Sequence, residues 1–248
     1  MNIAIVGYGN MGHEIEKLAR AKGMKVISII DPNSSEAAYK EINEESMKNV
    51  DACIDFTHPN AVIGNVEKIA KFRKNIVLGT TGWQDNIGKV KQIAQQSDIG
   101  IIYASNFSIG VNIFFRIVEN AAKIINSIPD YDIFSYELHH NKKVDSPSGT
   151  ARAIGELLVK NIARKNKMVF DKLDRKIEPN ELHIASVRAG YFPGTHVVGF
   201  DSRADTIELT HTNRNRDGLA MGAIMAAEWI KGRKGFYSID DMIKSIVK

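Results

Sequence analysis

The residues with the most chemistry to offer lie together between positions 137 and 150, in the segment Glu-Leu-His-His-Asn-Lys-Lys-Val-Asp-Ser-Pro-Ser-Gly-Thr. Its two histidines and two lysines can donate or accept protons once a site tunes their pKa values. Its last three residues, Ser148, Gly149 and Thr150, open a predicted helix, whose N–H groups and hydroxyls can bind a carboxylate. By residue types alone, a solvated loop with an ordinary serine helix cap explains the segment equally well.

A glycine-rich motif near the start of the chain can bind a phosphate. Gly7-Tyr8-Gly9-Asn10-Met11-Gly12 fits G-x-G-x-x-G directly after the apolar run Ile3–Val6 and before a helical pattern. In this motif the first glycine permits a tight turn, the second lets the backbone approach a pyrophosphate, and the third allows helix and strand to pack closely. The helix start also offers unpaired N–H groups. The motif predicts a dinucleotide site, against the alternative of a glycine-rich turn without a ligand.

An acidic residue in the expected place supports this interpretation and bears on the choice of dinucleotide. Asp31 stands 19 residues after Gly12, at the end of the second predicted strand, where it can accept hydrogen bonds from the adenosine ribose hydroxyls. Pro32 follows it, and the next lysine or arginine is Lys40. The 2′-phosphate of NADPH would thus lie near a carboxylate, and no cation close in sequence would neutralise its charge. We therefore expect NADH to be favoured over NADPH.

Hydrophobic periodicity indicates which elements position these motifs. Up to about residue 107, short apolar runs typical of buried strands alternate with helical patterns. The strands are predicted at 3–6, 26–30, 52–56, 76–78 and 99–103. This alternation predicts βαβ units and an α/β fold with a Rossmann-type, doubly wound parallel sheet. Thr80, Thr81 and Asn106 follow predicted strands, so they lie at the edge where open α/β sheets bind ligands.

The pattern changes after residue 107. Helices are predicted over 109–126 and about 151–163, a loop over 171–181, and strands over 133–138, 182–188, 195–200 and 206–212. The later strands alternate in polarity, which is typical of antiparallel or mixed sheets. We therefore predict two domains. A dinucleotide-binding domain takes residues 1–107 and the helices of 217–248, and a substrate-binding and oligomerisation domain takes residues 108–216, with an α+β fold and a mixed sheet.

Composition narrows the class of protein. Apolar residues make up 44% and charged residues 25% of the 248, as in an ordinary globular protein. The net charge of +4 is small and dispersed, so nucleic-acid binding is not expected. Neither a signal peptide nor an apolar run of roughly 18 residues, as needed to span a bilayer, is found. With Cys53 as the single cysteine, we expect a cytoplasmic protein without disulfides and without a membrane partner.

Residues 137–151 closely resemble the E-x-H-H-x-x-K-x-D-x-P-S-G-T-A signature of the 4-hydroxy-tetrahydrodipicolinate reductase (dihydrodipicolinate reductase) family. Further segments resemble that family in the same order along nearly the whole chain: Gly7–Gly12, Asp55–Thr57, Gly79–Gly82, Ala104–Asn112, Val187–Gly190, Gly194, His196, His211 and Gly222–Ala223. At the position of Pro32 some members carry an arginine that favours NADPH, and the chain departs from them there.

The resemblance implies roles for individual residues. His139 matches the family's proton donor or acceptor, and Lys143 matches its proton donor. His140, Gly149 and Thr150 match substrate-binding positions, and we add Ser148 from the same helix start. The resemblance assigns the cofactor site to Gly7, Tyr8, Gly9, Asn10, Met11, Gly12, Asp31, Gly79, Thr80, Thr81, Ala104, Ser105, Asn106 and Phe107.

By resemblance, the reaction is the NADH- or NADPH-dependent reduction of a cyclic dicarboxylate, 4-hydroxy-tetrahydrodipicolinate, to tetrahydrodipicolinate in lysine and diaminopimelate synthesis. The resemblance also implies a homotetramer formed through the second-domain sheets. Two alternatives remain. Another Rossmann dehydrogenase, acting on an amino or hydroxy acid, would lack the 139–150 signature. A non-catalytic NAD-sensing regulator would dispense with Lys143 and His139.

The remaining histidines and arginines carry weaker signals. The set His58, His140 and His211 does not form a zinc pattern, because no cysteine or close carboxylate joins them at ligand spacing, so no metal is expected. By default, surface or interface charges are expected at His183, Arg188, His196, Arg203, Arg214 and Arg216.

Overall fold

The computed structural model describes residues 1–170 and 172–246. Within these ranges, no helix is both long and apolar enough to cross a membrane. The helices and strands follow one another as β1 (Asn2–Val6), α1 (Asn10–Ala21), β2 (Lys25–Ile30), β3 (Ala52–Asp55), α2 (Val62–Lys71), β4 (Asn75–Leu78), α3 (Ile87–Gln96), β5 (Gly100–Tyr103), α4 (Ile109–Asn126), β6 (Asp132–His139), α5 (Gly149–Asn161), β7 (Lys167–Val169), β8 (Glu181–Arg188), β9 (Thr195–Asp201), β10 (Thr206–Thr212), α6 (Asp217–Trp229), β11 (Gly235–Ser238) and α7 (Ile239–Ile246).

The chain divides into two compact units. Unit 1 comprises residues 1–112 together with the residues from 216 onward, and unit 2 comprises residues 113–215. The first boundary therefore falls inside α4, four residues after that helix begins.

Unit 1 contains a six-stranded parallel sheet in the order β11-β5-β4-β3-β1-β2. Successive residues of β1 point to opposite faces, so Ile3 and Ile5 pack with α1, α6 and α7, whereas Ala4 and Val6 pack with α2 and α3. Both faces of the sheet are thus covered by helices. The Rossmann-type fold predicted from the alternating runs is confirmed.

Two short strands are not predicted from the sequence. Gly235–Ser238 forms β11, which extends the parallel sheet by pairing with β5, although only helices are predicted in this part of the chain. Lys167–Val169 forms β7 at the edge of the second sheet. Both strands are short, and pairing with a neighbouring strand decides their conformation.

Unit 2 contains a five-stranded mixed sheet in the order β10-β9-β6-β8-β7. Strand β6 pairs antiparallel with β9 and parallel with β8, as expected for a mixed sheet. The hydrophobic core of unit 2 lies between one face of this sheet and the helices α4 and α5, and contains residues such as Val118, Ile154 and Val198. The carboxyl end of β6 lies between β8 and β9, and this position gathers the side chains described below.

Close packing in unit 1 generates a stability prediction with opposite signs at two glycines. A Cβ at Gly222 in α6 would lie 1.7 Å from the carbonyl oxygen of Phe107, whereas one at Gly64 in α2 would meet nothing within 4 Å. Gly222→Ala should destabilise the protein by at least roughly 1–3 kcal/mol through overpacking against backbone. Gly64→Ala should stabilise it by roughly 0.5–1 kcal/mol, since alanine is the better helix former. Urea unfolding midpoints check both, and a harmless Gly222→Ala would contradict the close contact.

Candidate active site

The glycine-rich turn between β1 and α1 leaves no room for side chains at two of its three glycines. Gly7 has a φ of +88°, and a Cβ there would lie 2.3 Å from the carbonyl oxygen of Phe56. A Cβ at Gly12 would lie 2.5 Å from the carbonyl oxygen of Gly7. At Gly9, by contrast, a Cβ would meet nothing within 4 Å. The space beside Gly9 is open to a ligand that approaches the backbone, and a pyrophosphate at the start of α1 fits there.

The other three residues of the motif differ in exposure. Asn10 is exposed and Met11 is half-buried, whereas Tyr8 is buried with its ring stacked on His13, 4.0 Å between centroids. The Tyr8 hydroxyl donates to the carboxylate of Glu16. Burial and then this hydrogen bond raise the pKa of Tyr8 to about 12. Tyr8 therefore holds the turn against α1 as a neutral side chain.

Asp31, just after β2, ties the glycine-rich turn to the loop that follows it. One carboxylate oxygen accepts the Tyr8 N–H at 2.7 Å, and the other accepts the N–H groups of Asn33 at 2.8 Å and Ser34 at 3.2 Å. Burial opposes ionisation, but these backbone hydrogen bonds outweigh it and lower the pKa of Asp31. The carboxylate is therefore ionised and organises the loop, besides lying where a ribose would bind.

A cavity of about 550 Å³ opens beyond the carboxyl ends of β1, β2 and β3. Gly7, Gly9 and Asp31 line it, and so do Lys40 and Lys68. The strand order reverses at β1, and open α/β sheets bind their ligands at such a reversal. Folding also brings to this cavity two cations that do not neighbour Asp31 in sequence.

The side chain of Thr80, after β4, points into the protein. Its hydroxyl is buried and donates to the carboxylate of Asp55 at 3.0 Å. Gly79 lies against the ring of Phe56, which a Cβ would approach to 2.2 Å. Of the three residues predicted here for the cofactor site, Thr81 alone has an exposed side chain. Gly79 and Thr80 can therefore meet a ligand only through their backbone.

The segment after β5 shows the same division. Ala104 and Phe107 are buried in the core of unit 1. Ser105 is exposed, and Asn106 is half-buried with its side-chain oxygen accepting the N–H of Ser108 at 2.8 Å. Ser105 and Asn106 are the side chains of this segment that a ligand can reach, while Ala104 and Phe107 shape the core beneath them.

In unit 2, the carboxylate of Glu137 collects groups around the end of β6. Glu137 is fully buried, and its Oε1 accepts hydrogen bonds from the Ser148 N–H at 2.9 Å, the Ser186 hydroxyl at 2.8 Å and the Arg188 guanidinium at 2.7 Å. Burial would raise the pKa of Glu137, but the His196 ring, with Nε2 3.4 Å from Oε2, and the hydrogen bonds from Ser148 and Arg188 hold it well below its usual range. A buried, ionised carboxylate therefore forms the centre of a cluster, and Arg188 balances its charge.

His139, the last residue of β6, is buried beside this carboxylate. Its Nδ1 lies 3.2 Å from Oε2 of Glu137, and its ring lies 5.2 Å from the ring of His196. Burial, opposed by the charge of Glu137 and reinforced by those of His196 and Lys143, lowers the pKa of His139 to about 4. The imidazole is therefore neutral at neutral pH.

Lys143 extends from the loop after β6 and is largely covered. Its Nζ donates to the carboxylate of Asp145 at 2.7 Å, and 22% of its side chain is exposed. The Asp145 carbonyl accepts a hydrogen bond from Arg188 at 2.7 Å. The loop is thus tied to the end of β8 and carries its ammonium near His139, while Lys142 is exposed.

The start of α5 presents backbone N–H groups next to this cluster. Ser148 caps the helix, because its hydroxyl accepts the N–H of Ala151 at 3.1 Å. The N–H groups of Gly149 and Thr150 have no acceptor within the helix. Gly149 is exposed and Thr150 is half-buried. A helix start of this kind can bind a carboxylate.

His140 has a different setting from its neighbour. Its backbone N–H donates to the carbonyl of Phe192 at 2.8 Å, and its carbonyl accepts the N–H of Lys143 at 3.1 Å. The residue is half-buried, and Nδ1 of its ring has no hydrogen-bond partner among the described residues. His140 therefore shapes the turn through its backbone.

The sequence reasoning missed Glu137 and misjudged Arg188 and His196. The expectation of surface or interface charges is wrong for the latter two, since His196 is 2% exposed and Arg188 bonds to a buried carboxylate. The strand register places them, pairing Arg188 with His139 and His196 with Glu137. All three residues lie in segments that carry the family resemblance, which is the signal that could have found them.

Ligand atoms of Glu137, His139 and His196 lie within 4.8 Å of one another, close enough to hold one metal ion. Two of these groups are already partly engaged, because Arg188 bonds to Oε1 of the carboxylate and Nε2 of His196 lies 3.2 Å from the Ser148 hydroxyl. A metal ion would also lie close to the guanidinium and be repelled by it. The ion pair and hydrogen bonds that surround the Glu137 carboxylate therefore fit this cluster better than a metal ion does.

Two family models together match most of the chain. The model described as dihydrodipicolinate reductase, N-terminus, matches residues 1–107, and the model described as dihydrodipicolinate reductase, C-terminus, matches residues 110–243. The 4-hydroxy-tetrahydrodipicolinate reductase of Christiangramia forsetii is 35% identical over 248 residues, 100% of each chain. That of Buchnera aphidicola subsp. Schizaphis graminum is 36% identical over 218 residues, 85% of this chain and 78% of its own.

Solved structures share the fold over nearly the whole chain. A dipicolinate-bound dihydrodipicolinate reductase from Paenisporosarcina sp. TG-14 superposes with a TM-score of 0.76 at 22% identity, covering 96% of this chain and 97% of its own. An amine dehydrogenase from Mycobacterium smegmatis superposes with a TM-score of 0.62 at 8% identity, covering 97% and 95%. At such identities these two likenesses concern the fold alone.

Proposed function

Because the chain belongs to the dihydrodipicolinate reductase family, we propose that Lys143 and His139 handle the proton of the family's reaction. The chain is an NAD(P)H-dependent oxidoreductase that reduces 4-hydroxy-tetrahydrodipicolinate to tetrahydrodipicolinate in lysine and diaminopimelate biosynthesis. The observation that carries the assignment of residues is the cluster at the end of β6, where a neutral His139 and the Lys143 ammonium adjoin an anion-binding helix start.

Unit 1 is the proposed dinucleotide-binding domain and unit 2 the proposed substrate-binding and oligomerisation domain. When bound, the nicotinamide supplies the hydride for the reduction. The turn Gly7–Gly12 would receive the pyrophosphate, because Gly9 leaves its backbone open. Asp31 would accept hydrogen bonds from the ribose, and Gly79–Thr81 and Ala104–Phe107 would contact the nicotinamide end.

The substrate has two carboxylates, and the start of α5 offers groups that bind them. The N–H groups of Gly149 and Thr150 are directed away from the helix that they begin. The Ser148 hydroxyl already accepts the Ala151 N–H, so its part in binding is to hold that helix start in place. His140 would add a hydrogen bond through its ring, and charge-assisted bonds of this kind are the strong ones.

Proton transfer is proposed to run mainly through Lys143. The substrate's hydroxyl group leaves as water in the overall reaction. Hydride addition to one ring carbon leaves electron density that must be protonated nearby, so a donor is needed within hydrogen-bond reach of the substrate. Burial lowers the pKa of His139 to about 4, and a neutral imidazole is an acceptor or relay rather than a strong acid. The Lys143 ammonium, held by Asp145 at 2.7 Å, is the better donor.

Lys143→Ala should lower kcat by roughly 10²–10⁴-fold, the usual range for a lost general acid. The KM for NADH should change little, because the proposed cofactor residues belong to unit 1. Lys142→Ala, at the exposed neighbour, is the matched control and should cost much less. Steady-state rates followed by NADH absorbance give the kcat of each variant and the KM of Lys143→Ala for NADH. Equal losses in the two variants would mean that a diffuse positive field binds the substrate, and Lys143 would lose its specific role.

We also propose that NADH is the preferred cofactor, because a 2′-phosphate would lie against the ionised Asp31. Lys40 and Lys68 line the same cavity, and their positive charges would favour a 2′-phosphate. NADH should therefore give the higher kcat/KM, and Asp31→Asn should narrow its advantage, since the charge is lost while one of the two acceptor oxygens remains. A tenfold preference of the unaltered enzyme for NADPH would contradict this proposal, and Lys40→Ala and Lys68→Ala would then identify the responsible lysine.

A homotetramer is proposed on the basis of the uncovered face of the sheet in unit 2. The core of unit 2 uses the other face, and Phe134, Tyr136 and Val187 take no part in it. The rings of Phe134 and Tyr136 lie parallel, 6.5 Å apart, and the Phe134 ring covers Gly199. A flat apolar face of this kind suits a symmetric contact with copies of the same chain. We propose a cytoplasmic location and no nucleic-acid or membrane partner.

Light scattering coupled to size-exclusion chromatography should give the mass of four chains. Val187→Asp should lower that mass, because Val187 is 44% exposed on the uncovered face and a carboxylate there would be buried on assembly. Ile207→Asp is the matched control: Ile207 is 45% exposed, and its strand pairing with Phe200 puts it on the face that the helices cover. A monomeric wild-type protein, or equal dissociation by both variants, would rule out this interface.

A further inference from the structure

The carboxylate of Glu137 cannot rotate freely, because three donors converge on one of its oxygens. Ser148, Ser186 and Arg188 all donate to Oε1, at 2.7–2.9 Å. The residue is fully buried, so water does not compete for these bonds. The direction of the other oxygen, Oε2, is therefore set by the protein.

Two imidazoles lie within reach of Oε2. Nδ1 of His139 is 3.2 Å away and Nε2 of His196 is 3.4 Å away. The Ser148 hydroxyl lies 3.2 Å from the same Nε2 of His196 and already accepts the N–H of Ala151, so its own proton is available to that nitrogen. Among the described residues, Oε2 of Glu137 and Nδ1 of His139 have no hydrogen-bond partner, although the two atoms lie 3.2 Å apart. Oε2 of Glu137 is therefore available as an acceptor for a proton on Nδ1 of His139.

On the opposite side of the His139 ring, Nε2 lies beside Gly194. A Cβ at Gly194 would lie 3.0 Å from Nε2 of His139 and 3.2 Å from the side-chain nitrogen of Asn213. Gly194 has a φ of +139°, a conformation that other residues rarely adopt. The absence of a side chain at Gly194 therefore keeps Nε2 accessible.

We propose that Glu137 is the positioning residue of the reaction, holding the proton of His139 on Nδ1 so that the lone pair of Nε2 faces the substrate. The role of His139 itself rests on the function proposed above. A carboxylate that fixes the tautomer of a catalytic imidazole is a general device, since the hydrogen bond made by one ring nitrogen decides the state of the other. Glu137 acts through His139 and touches no reacting atom.

The experiment compares the full-length enzyme, with ¹⁵N-labelled histidine, with its Glu137→Gln variant. His139→Asn identifies the signal of His139, and ¹⁵N chemical shifts at pH 7.5 report which ring nitrogen carries the proton. The unaltered enzyme should show the proton on Nδ1. In Glu137→Gln that preference should be lost, and kcat should fall roughly 10-fold or more while the KM for NADH stays unchanged.

Glu181→Gln is the matched control. Glu181 is also a buried carboxylate in unit 2, bonded to Arg175 and Lys167, but it lies at the start of β8, the opposite end from Arg188. It should lower stability without changing the His139 tautomer or kcat.

The possible outcomes separate the two proposals. A His139 proton on Nε2 in the unaltered enzyme overturns the positioning role, and this result is available even if Glu137→Gln fails to fold. An unchanged tautomer in Glu137→Gln overturns it as well, and leaves Glu137 a structural role only. An unaffected kcat in Lys143→Ala and His139→Asn would overturn the proposed proton function. The measured tautomer of His139 would remain valid in that case.

Discussion

The site in unit 2 depends on one buried charge, the carboxylate of Glu137. It joins the end of β6 to the start of α5 through the Ser148 N–H and to β8 through Ser186 and Arg188. A buried carboxylate without partners costs several kcal/mol, so the fold tolerates it only when these segments come together. The loop of residues 140–147 is consequently anchored at both ends to the same group, which limits where Lys143 can go.

The ion pair of Glu137 and Arg188 contributes to the orientation of its neighbours more than to stability. A buried ion pair contributes little net stability, because desolvation offsets the attraction between the charges. Removing one partner is nevertheless expensive, at about 3–5 kcal/mol, since the other is left buried and unpaired. Apolar residues would hold β6, β8 and α5 together equally well. They would not orient an imidazole, as a carboxylate 3.2 Å from Nδ1 can.

Carboxylates also organise the strand ends in unit 1, by two different means. Asp31 accepts three backbone N–H groups, and these lower its pKa despite partial burial. Asp55 is fully buried and accepts hydrogen bonds from Thr57, Asn65 and Thr80; burial outweighs these bonds, and its pKa is raised. In both cases an acceptor satisfies donors in loops that no sheet ladder can satisfy. The cavity at this edge is thus bordered by loops with a defined shape.

The amino-acid sequence by itself determined the features whose physical cause is local. Gly7–Gly12 can be identified because a tight turn, a close approach of the backbone and a helix start together require six contiguous residues. The strands and helices can be identified because burial on one or both faces gives the apolar residues a regular spacing. The segment from His139 to Thr150 can be identified because its residues are contiguous.

Only the tertiary structure decided which distant residues meet. Arg188 reaches Glu137 from 51 residues away because β8 lies in parallel register beside β6, and Lys68 lines the cavity at the strand ends from α2. Such contacts leave no periodic trace in the chain, since they arise from the order and register of strands.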